Sequence, residues 1–386
     1  MRVIALANDR SSGAAYRGQL PMRALAERGH QTQFLDWDMR VAPPPFEELR
    51  QADVVHMWRL YRAPARRLAS ALKEAGVAVV FDNDDDMTRV PRHSPAYAEM
   101  KRARPQVVQE LGATLRLVHL VTTTCGELAG RLRRLGGDVR VVENYVEPSF
   151  LRPRRPASDE VTIGWVAGQE HRGDLKDLRL RRTFEHLLGA QPQVRLVSVG
   201  VDLGVRSDRY THHRFIPFPE LPDVISRFDV GLAPLADVSF NRVRSNIKLK
   251  EYAASGVPWL ASPIGPYREL GEAQGGRLVA DHQWAEELTA LATDADARSR
   301  LAEQAAAWGL TQTVTSNAEE WEAVFVEAAE RAGRSVGRSS ARRSGGRPET
   351  AMVIPRPSAP VEPVAVAQAA RSAERRGLFR RRRRDA

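Results

Sequence analysis

The sequence predicts an α/β protein with two doubly wound, Rossmann-like domains, and three observations support this fold class. Short apolar runs alternate with amphipathic stretches, which is the pattern of parallel sheets covered by helices on both faces. The pattern stops at a segment rich in proline and charge, residues 148–160, and then begins again. The chain has 386 residues, of which 42% are hydrophobic, so it is long enough for two domains of ordinary size.

The predicted first domain covers residues 1–150. Residues 16–28 have the pattern of a helix, and Gly29 can end it. Ligands of a doubly wound sheet bind beyond the carboxyl ends of its strands, so functional residues are expected directly after the apolar runs. These runs, in chain order, are RVIALA, TQFLDW, DVVHMW, VAVVF, LVHLVTT and VRVVEN.

The predicted second domain covers residues 160–332 and repeats the alternation. Its predicted strands are VTIGWVA, VRLVSVG, FDVGLAPL and VPWLAS. Helices are predicted over residues 178–188 and within NIKLKEYAASG, where Gly256 ends the helix. Residues 284–332 are predicted to be mostly helical and to close the domain.

Residues 333–386 are predicted to form a disordered, arginine-rich tail, because they can bury too little apolar surface to fold alone. The tail holds 14 arginines and 4 acids, which accounts for the whole net charge of +10. Leu378 and Phe379 stand among arginines, which favours an anionic membrane surface as the partner of the tail. Nucleic acid is a less favoured partner, because Phe379 is the only aromatic residue there. A merely solubilising tail is an equally good interpretation.

The sequence also predicts where the protein resides. It has no apolar run of about 20 residues, so no membrane-spanning helix is expected. Its start lacks the zones of a signal peptide, and the single cysteine, Cys125, excludes an internal disulfide. A cytoplasmic protein is expected, with the tail allowing peripheral contact with the inner face of the membrane.

One predicted helix carries polar residues suited to a nucleoside diphosphate. Ser245, Lys248 and Glu251 follow at i, i+3 and i+6, within about a third of the helix circumference. Free N–H groups near Ser245 favour an anion, Lys248 adds positive charge, and Glu251 can accept from both ribose hydroxyls. The same spacing also fits an ordinary solvated helix face.

The stretch around these residues, SNIKLKEYAASGVPWLASPIGPY, resembles the donor motif of group 1 glycosyltransferases, the family-four type with the two-domain GT-B fold. SSGAAYRGQLPMRALAERGH, VVFDNDDDM, VVENYVEP and VTIGWVAGQEHRGDL resemble further segments of one subgroup, and the likeness covers residues 1–330. One position departs from the family, which often has a glutamate eight positions before Glu251, where this chain has Val243. A role of that glutamate on the donor sugar is therefore in doubt, although Asn241 or Arg242 lies nearby.

The resemblance implies transfer of a sugar from a nucleoside-diphosphate sugar to an acceptor hydroxyl, with retention and with neither a cofactor nor a bound metal. The acceptor can be a glycan, a lipid-linked compound or another hydroxyl compound. His171 and Asp174, in an H-x-x-D pattern, are the implied catalytic residues, although a polar loop residue and a helix cap are equally plain interpretations. The implied donor-binding residues are Lys248, Glu251, Ser245, Arg17 and Gly13.

The acidic turn in VVFDNDDDM, residues 79–87, invites a second interpretation. Its Asp-x-Asp forms are those that metal-dependent glycosyltransferases use, but a cationic phosphate site in the second domain makes a metal unnecessary. Asp82, Asp84 and Asp85 are instead predicted to line the cleft, where they can contact sugar hydroxyls, cap a helix or pair with arginines such as Arg59. Asn144, at the end of the last first-domain strand, is predicted to face the same cleft.

Three alternatives remain open at this point. A catalytically inactive, nucleotide-sugar-binding paralogue is favoured by Val243. A nucleic-acid-associated, DNA-modifying protein is suggested by the basic tail. A metal-dependent, single-domain GT-A enzyme built on DNDDD is the third alternative, but it leaves the second Rossmann-like repeat unexplained.

Overall fold

A computed structural model describes residues 1–9, 11–38, 42–94, 97–153 and 158–334, and this part of the chain contains two parallel six-stranded sheets. The first sheet has the order β2-β1-β3-β4-β5-β6, so the chain reverses direction across the sheet between β1 and β3. Such a reversal opens a crevice at the carboxyl ends of the strands. The strands are β1 (Arg2–Ala7), β2 (Gln31–Asp36), β3 (Val54–Trp58), β4 (Ala78–Asp82), β5 (Leu120–Thr123) and β6 (Val139–Val141).

The first domain places its earliest helical segment beside this crevice. The segment begins before the predicted residue 16, because the Ser11 hydroxyl caps it by accepting from the Ala14 N–H at 3.5 Å. A π turn over Ala15–Gln19 joins its two α-helical parts, and π turns frequently lie at functional sites. The helices are α1 (Ser12–Ala14), α2 (Leu20–Glu27), α3 (Phe46–Leu49), α4 (Ala63–Glu74), α5 (Tyr97–Leu117) and α6 (Gly126–Arg134).

The second sheet has the order β12-β11-β10-β7-β8-β9, with its reversal between β7 and β10. Two of its strands were not predicted. β9 is largely polar and only partly buried, and β12 has three residues, so neither gives the apolar run that the prediction relied on. The strands are β7 (Val161–Ala167), β8 (Val194–Gly200), β9 (Tyr210–His213), β10 (Val230–Ala233), β11 (Trp259–Ala261) and β12 (Gly276–Leu278).

The last helix of the described chain crosses back to the first domain. Trp321, Phe325 and Ala328 are buried in one apolar cluster with Val3 and Val80 of the first sheet. The predicted second domain, residues 160–332, therefore includes a helix whose apolar face covers the other domain. The helices here are α7 (Arg172–Asp177), α8 (Leu180–Ala190), α9 (Leu221–Ile225), α10 (Ile247–Ala254), α11 (Trp284–Thr293), α12 (Ala295–Thr311) and α13 (Ala318–Arg331).

Separate apolar clusters fill the two domains, as expected for two sheets that are each covered on both faces. Among the helices of the described ranges, none is both long and apolar enough to cross a bilayer. The tail predicted over residues 333–386 lies outside the described residues beyond Arg334.

Candidate active site in the inter-domain cleft

A cleft lies between the two domains. Residues in the loops after the strands of one sheet contact residues in the loops after the strands of the other. The Tyr16 hydroxyl of the π turn donates to Glu251 Oε1 of α10 at 2.5 Å. Asn144, which follows β6, donates through Nδ2 to Ser245 Oγ at 3.1 Å. The structure thus brings Asn144, Ser245 and Glu251 together at the cleft.

Helix α10 presents its first turns to this cleft. Asn246 is its N-cap residue, so Ser245 lies just before the helix rather than on it. Lys248 Nζ lies 3.8 Å from Glu251 Oε2, and that oxygen is buried without a hydrogen-bond partner in the described part of the chain. A buried carboxylate oxygen without a partner is costly, so the geometry suits a ligand hydroxyl that would donate to it. Gly256 ends the helix with φ +66°, as predicted.

His171 is held at the switch point of the second sheet. It ends a 3-10 turn, Gln169–His171, that follows β7, and its side chain is buried. Its Nδ1 lies 2.7 Å from Asp174 Oδ2. The other oxygen of Asp174 accepts from the Ala236 N–H at 2.9 Å and from Asn241 Nδ2 at 2.7 Å. Asp174 therefore orients His171 and ties it to the loop after β10, so its carboxylate is not a free helix cap.

The surroundings of His171 favour a neutral imidazole. Burial lowers the pKa of His171, and the nearby Arg244 charge lowers it further, which outweighs the opposing effects of Asp174 and Glu170. Because Nδ1 donates to Asp174, Nε2 carries the lone pair. Nε2 is buried and has no hydrogen-bond partner among the described residues, so it can accept a hydrogen bond from a ligand.

Arg244 is a cleft residue that the sequence analysis missed. It lies between the 3-10 turn Asn241–Val243 and α10, and its guanidinium is 3.5 Å from Glu170 Oε1. Arg244 directly precedes the stretch that resembles the donor motif and lies four positions before Lys248, a spacing that could have indicated a pair of cations. Arg242, which was considered instead, pairs with Asp237 at the surface.

Arg17 lies beneath the cleft rather than at its surface. The guanidinium is fully buried and forms an ion pair with Asp82 at 2.7 Å. It also donates to the Val142 carbonyl at 2.6 Å and to Asn144 Oδ1 at 3.1 Å, and it lies over the Trp321 ring. Contact with a donor phosphate, as predicted, would require Arg17 to leave Asp82. The geometry instead supports a positioning role, because Arg17 fixes Asn144.

Arginines neutralise the acidic turn. Asp84 and Asp85 both pair with Arg59, at 2.5 and 2.6 Å, which is one of the three interpretations that the sequence left open for these carboxylates. Asp82 is fully buried, and Asp85 is the most exposed of the three predicted cleft carboxylates, with 27% of its side chain accessible. Gly13 lies against this turn, since a Cβ there would approach Trp58 to 2.7 Å and Asp84 to 3.4 Å.

Val243 occupies the position of the missing family glutamate. The side chain is fully buried and packs in the main apolar cluster of the first domain. Its carbonyl accepts from Cys125 Sγ at 3.5 Å. In this structure the position therefore joins the two domains. Within the described ranges, no group of three or more His, Cys, Asp or Glu side chains has an arrangement that could hold a metal ion.

Comparisons with known proteins agree with this architecture. Residues 175–323 match a family model described as glycosyl transferase-like, whereas no curated protein matches the sequence. The structure of Anabaena HepE with UDP-glucose is similar, with a TM-score of 0.59 and 14% identity over 84% of this chain and 99% of that one. A UDP-forming trehalose-phosphate synthase from Burkholderia xenovorans has a TM-score of 0.57 and 13% identity over 86% and 99%.

A protein from Listeria monocytogenes described as a UDP-N-acetylglucosamine 2-epimerase shares the same fold, with a TM-score of 0.53 and 11% identity over 87% and 99% of the two chains. At such identities the likeness shows the fold alone, and the family model adds the class. Together they confirm the resemblance predicted from the motifs: the chain has the two-domain GT-B-type fold, and residues 175–323 match a glycosyl transferase-like family model.

Proposed function

We propose that this protein transfers a sugar from a nucleoside-diphosphate sugar to an acceptor hydroxyl, with retention and without a metal. In this reaction the bond between the anomeric carbon and the diphosphate oxygen breaks, and a bond to the acceptor oxygen forms. The departing diphosphate takes the proton of the acceptor hydroxyl. The acceptor is a glycan, a lipid-linked compound or another molecule with a free hydroxyl.

One observation carries the proposal. Two buried acceptor atoms in the cleft, His171 Nε2 and Glu251 Oε2, lack hydrogen-bond partners among the described residues. Two cations, Arg244 and Lys248, lie beside them, and Glu170 is within 3.8 Å of His171 Nε2. Unpaired acceptors next to cations suit a ligand that combines hydroxyl groups with a diphosphate.

The proposed roles follow from this arrangement. The N-terminus of α10 and Lys248 stabilise the charge that develops on the leaving diphosphate, and Arg244 adds a second cation. Glu251 accepts from the ribose, and Tyr16 shares that carboxylate from the opposite domain. His171 accepts from a hydroxyl at the reacting end, with its orientation set by Asp174.

Binding of the donor tests the site directly. We expect one nucleotide-sugar family to raise the melting temperature of the wild-type protein, and we expect Lys248→Ala and Glu251→Ala each to abolish that shift. A thermal-shift panel of nucleotide sugars measures it. Lys101→Ala and Glu286→Ala are the matched controls, because both residues are exposed and lie outside the cleft. Shifts that survive in both cleft variants would rule out the proposed donor site.

Independence from metal is tested by chelation. The carboxylates of the acidic turn are held by arginines rather than left as free ligands, which supports the proposal. We therefore expect glycosyl transfer to continue at an unchanged rate in EDTA. Strict dependence on added Mg²⁺ or Mn²⁺ would instead favour the metal-dependent alternative.

The inactive, nucleotide-sugar-binding paralogue is the second candidate, because Val243 replaces the family glutamate and is used for packing between the domains. The binding panel does not distinguish it from the enzyme. Release of nucleoside diphosphate together with a glycosylated product by the wild-type protein would exclude it.

A further inference from the structure

We infer that the outer face of α7 and the start of α8 form a second anion-binding site, which takes phosphate groups and is separate from the donor site. This inference does not rest on the proposed function. The two helices border a groove of about 560 Å³. The residues that line it are Arg172, Leu175, Lys176, Arg179, Arg181 and Arg182.

In α7 and the start of α8, the basic side chains line the groove and the acidic side chains do not. Arg172, Lys176 and Arg179 follow at i, i+4 and i+7, which places them in one stripe. The acids of the same segment lie elsewhere: Asp174 is buried against His171, and Asp177 does not line the groove. The groove therefore has five cationic side chains and no carboxylate in its lining.

Few of these cations are neutralised within the protein. In the described part of the chain, Arg181 is the groove residue with a carboxylate partner, Glu185 at 2.9 Å. The side chains of the other four cations are exposed and have no ion pair within 4 Å there, although the charge of Arg172 contributes to a lowered pKa of Asp202. Cations gathered without partners repel one another, and a concave surface of one sign concentrates the field and attracts anions. Phosphate groups, which carry charge and several acceptor oxygens, fit such a lining best.

The backbone at Arg179 supports the same conclusion. Arg179 joins α7 to α8, and its backbone angles are φ +54° and ψ +27°. These angles lie in the left-handed region, which residues other than glycine and asparagine rarely adopt. Strained residues of this kind are associated with ligand sites. Arginine at this position keeps a cation in the groove where glycine would relieve the strain.

The groove lies close to the reaction site without sharing its residues. α7 begins at the residue after His171, and its six residues span about 9 Å. A molecule with phosphate groups in the groove would therefore be held near the cleft. The source of those groups is either a soluble phosphorylated compound or the headgroups of an anionic membrane.

Charge reversal in the full-length chain tests the inference. Arg172→Glu/Arg182→Glu is compared with Arg206→Glu/Arg300→Glu, which changes the charge equally at exposed positions outside the groove. Residues 335–386 are the same in both, so the tail contributes equally. The probes are tripolyphosphate, followed by calorimetry, and phosphatidylcholine vesicles with or without phosphatidylglycerol, followed by co-sedimentation.

We expect the groove variant to bind at least one probe at least about tenfold more weakly than the control variant. Loss of tripolyphosphate binding alone identifies a soluble phosphorylated ligand, whereas loss of binding to vesicles with phosphatidylglycerol identifies lipid headgroups. Equal binding by the two variants to both probes would overturn the inference.

The Arg179→Gly variant distinguishes an effect on ligand binding from an effect on folding. Glycine adopts the observed backbone angles without strain, so this variant should melt at the same temperature as the wild type or higher. It should nevertheless bind the responding probe more weakly, because it removes one cation. A variant that binds both probes as tightly as the wild type would contradict a role for Arg179.

Discussion

Replacing His171 by alanine is expected to lower kcat/KM for glycosyl transfer by about 10- to 100-fold, because a buried hydrogen bond to the reacting hydroxyl, worth about 1–3 kcal/mol, is lost. The reason is that Nε2 is a buried, unpaired lone pair at the switch point of the second sheet. Release of nucleoside diphosphate from the donor identified by thermal shift is the measurement. His186→Ala is the matched control, since His186 is an exposed histidine of α8.

Asp174→Asn tests the role of orientation in the same site. An amide can still accept from the Ala236 N–H and from Asn241, but its NH₂ group would donate to His171 Nδ1. This reverses the tautomer, so Nε2 would carry the proton and could no longer accept. We expect the rate to fall in the same direction while the melting temperature changes little. An activity within about threefold of wild type in both His171→Ala and Asp174→Asn would exclude the proposed role, because that change is below the range expected for a lost buried hydrogen bond.

The pH profile provides an independent readout of His171. Burial and Arg244 hold the pKa of His171 below its ordinary value, so the lone pair is available at neutral pH and is lost as the pH falls through that lowered pKa. Replacing Arg244 by glutamine removes a cation that lowers the pKa, while Asp174 and Glu170 still raise it. The acidic limb of the kcat/KM profile should then move to higher pH. A limb that stays in place in Arg244→Gln would show that another group controls it.

Replacing Arg17 by methionine is expected to destabilise the protein by about 3–5 kcal/mol, the cost of breaking a buried ion pair by removing one partner. Both side chains of the Arg17–Asp82 pair are fully buried, so the charge left on Asp82 could not be solvated. Chemical denaturation at neutral pH measures the change. Arg17→Met/Asp82→Leu should recover most of the lost stability, because no unpaired charge remains.

The same variant should show a characteristic dependence on pH. Burial alone raises the pKa of Asp82, but Arg17, with a further contribution from His56, outweighs burial and holds that pKa below the ordinary range. In the wild type the stabilisation by this carboxylate is therefore present above pH about 4 and is lost as the pH falls through the lowered pKa. Without Arg17 the pKa of Asp82 rises instead. Protonation of Asp82 then removes the buried, unpaired charge that destabilises the variant. The difference in the free energy of unfolding should therefore shrink toward low pH. A constant difference would mean that Asp82 is not the group responsible.

The alternation of strands and helices was enough to predict both domains and ten of the twelve described strands. The prediction failed where the signal is weak: β9 is polar and exposed to solvent on part of its surface, and β12 is too short to show periodicity. Residues 284–332 were also predicted to be mostly helical, and α13 lies in this range. Amphipathicity shows that a helix has an apolar face, but it does not show which sheet that face covers, so the return to the first domain was not predicted.

Parts of the candidate site could be predicted because they lie close together in the sequence. Ser245, Lys248 and Glu251 share one segment, and His171 with Asp174 share one turn, so spacing alone relates them. Arg17 and Asp82 are 65 positions apart, and only the fold shows that they form a buried pair. Residue type alone had suggested that Arg17 binds phosphate. An arginine after the first strand is equally suited to a contact with phosphate and to a buried ion pair, so its type could not distinguish the two.

The position of α13 also determines where the arginine-rich tail begins. Arg334, just beyond this helix, donates to the Gly76 carbonyl and to Asp53 Oδ1, which precede β4 and β3. These are the amino ends of the first-domain strands, at the pole opposite the cleft. A surface that captured residues 335–386 would therefore tether the protein at the pole opposite the cleft. Because 52 residues can reach farther than the width of a domain, such a tether limits how far the cleft can move from the surface and leaves the cleft free to turn toward an acceptor there.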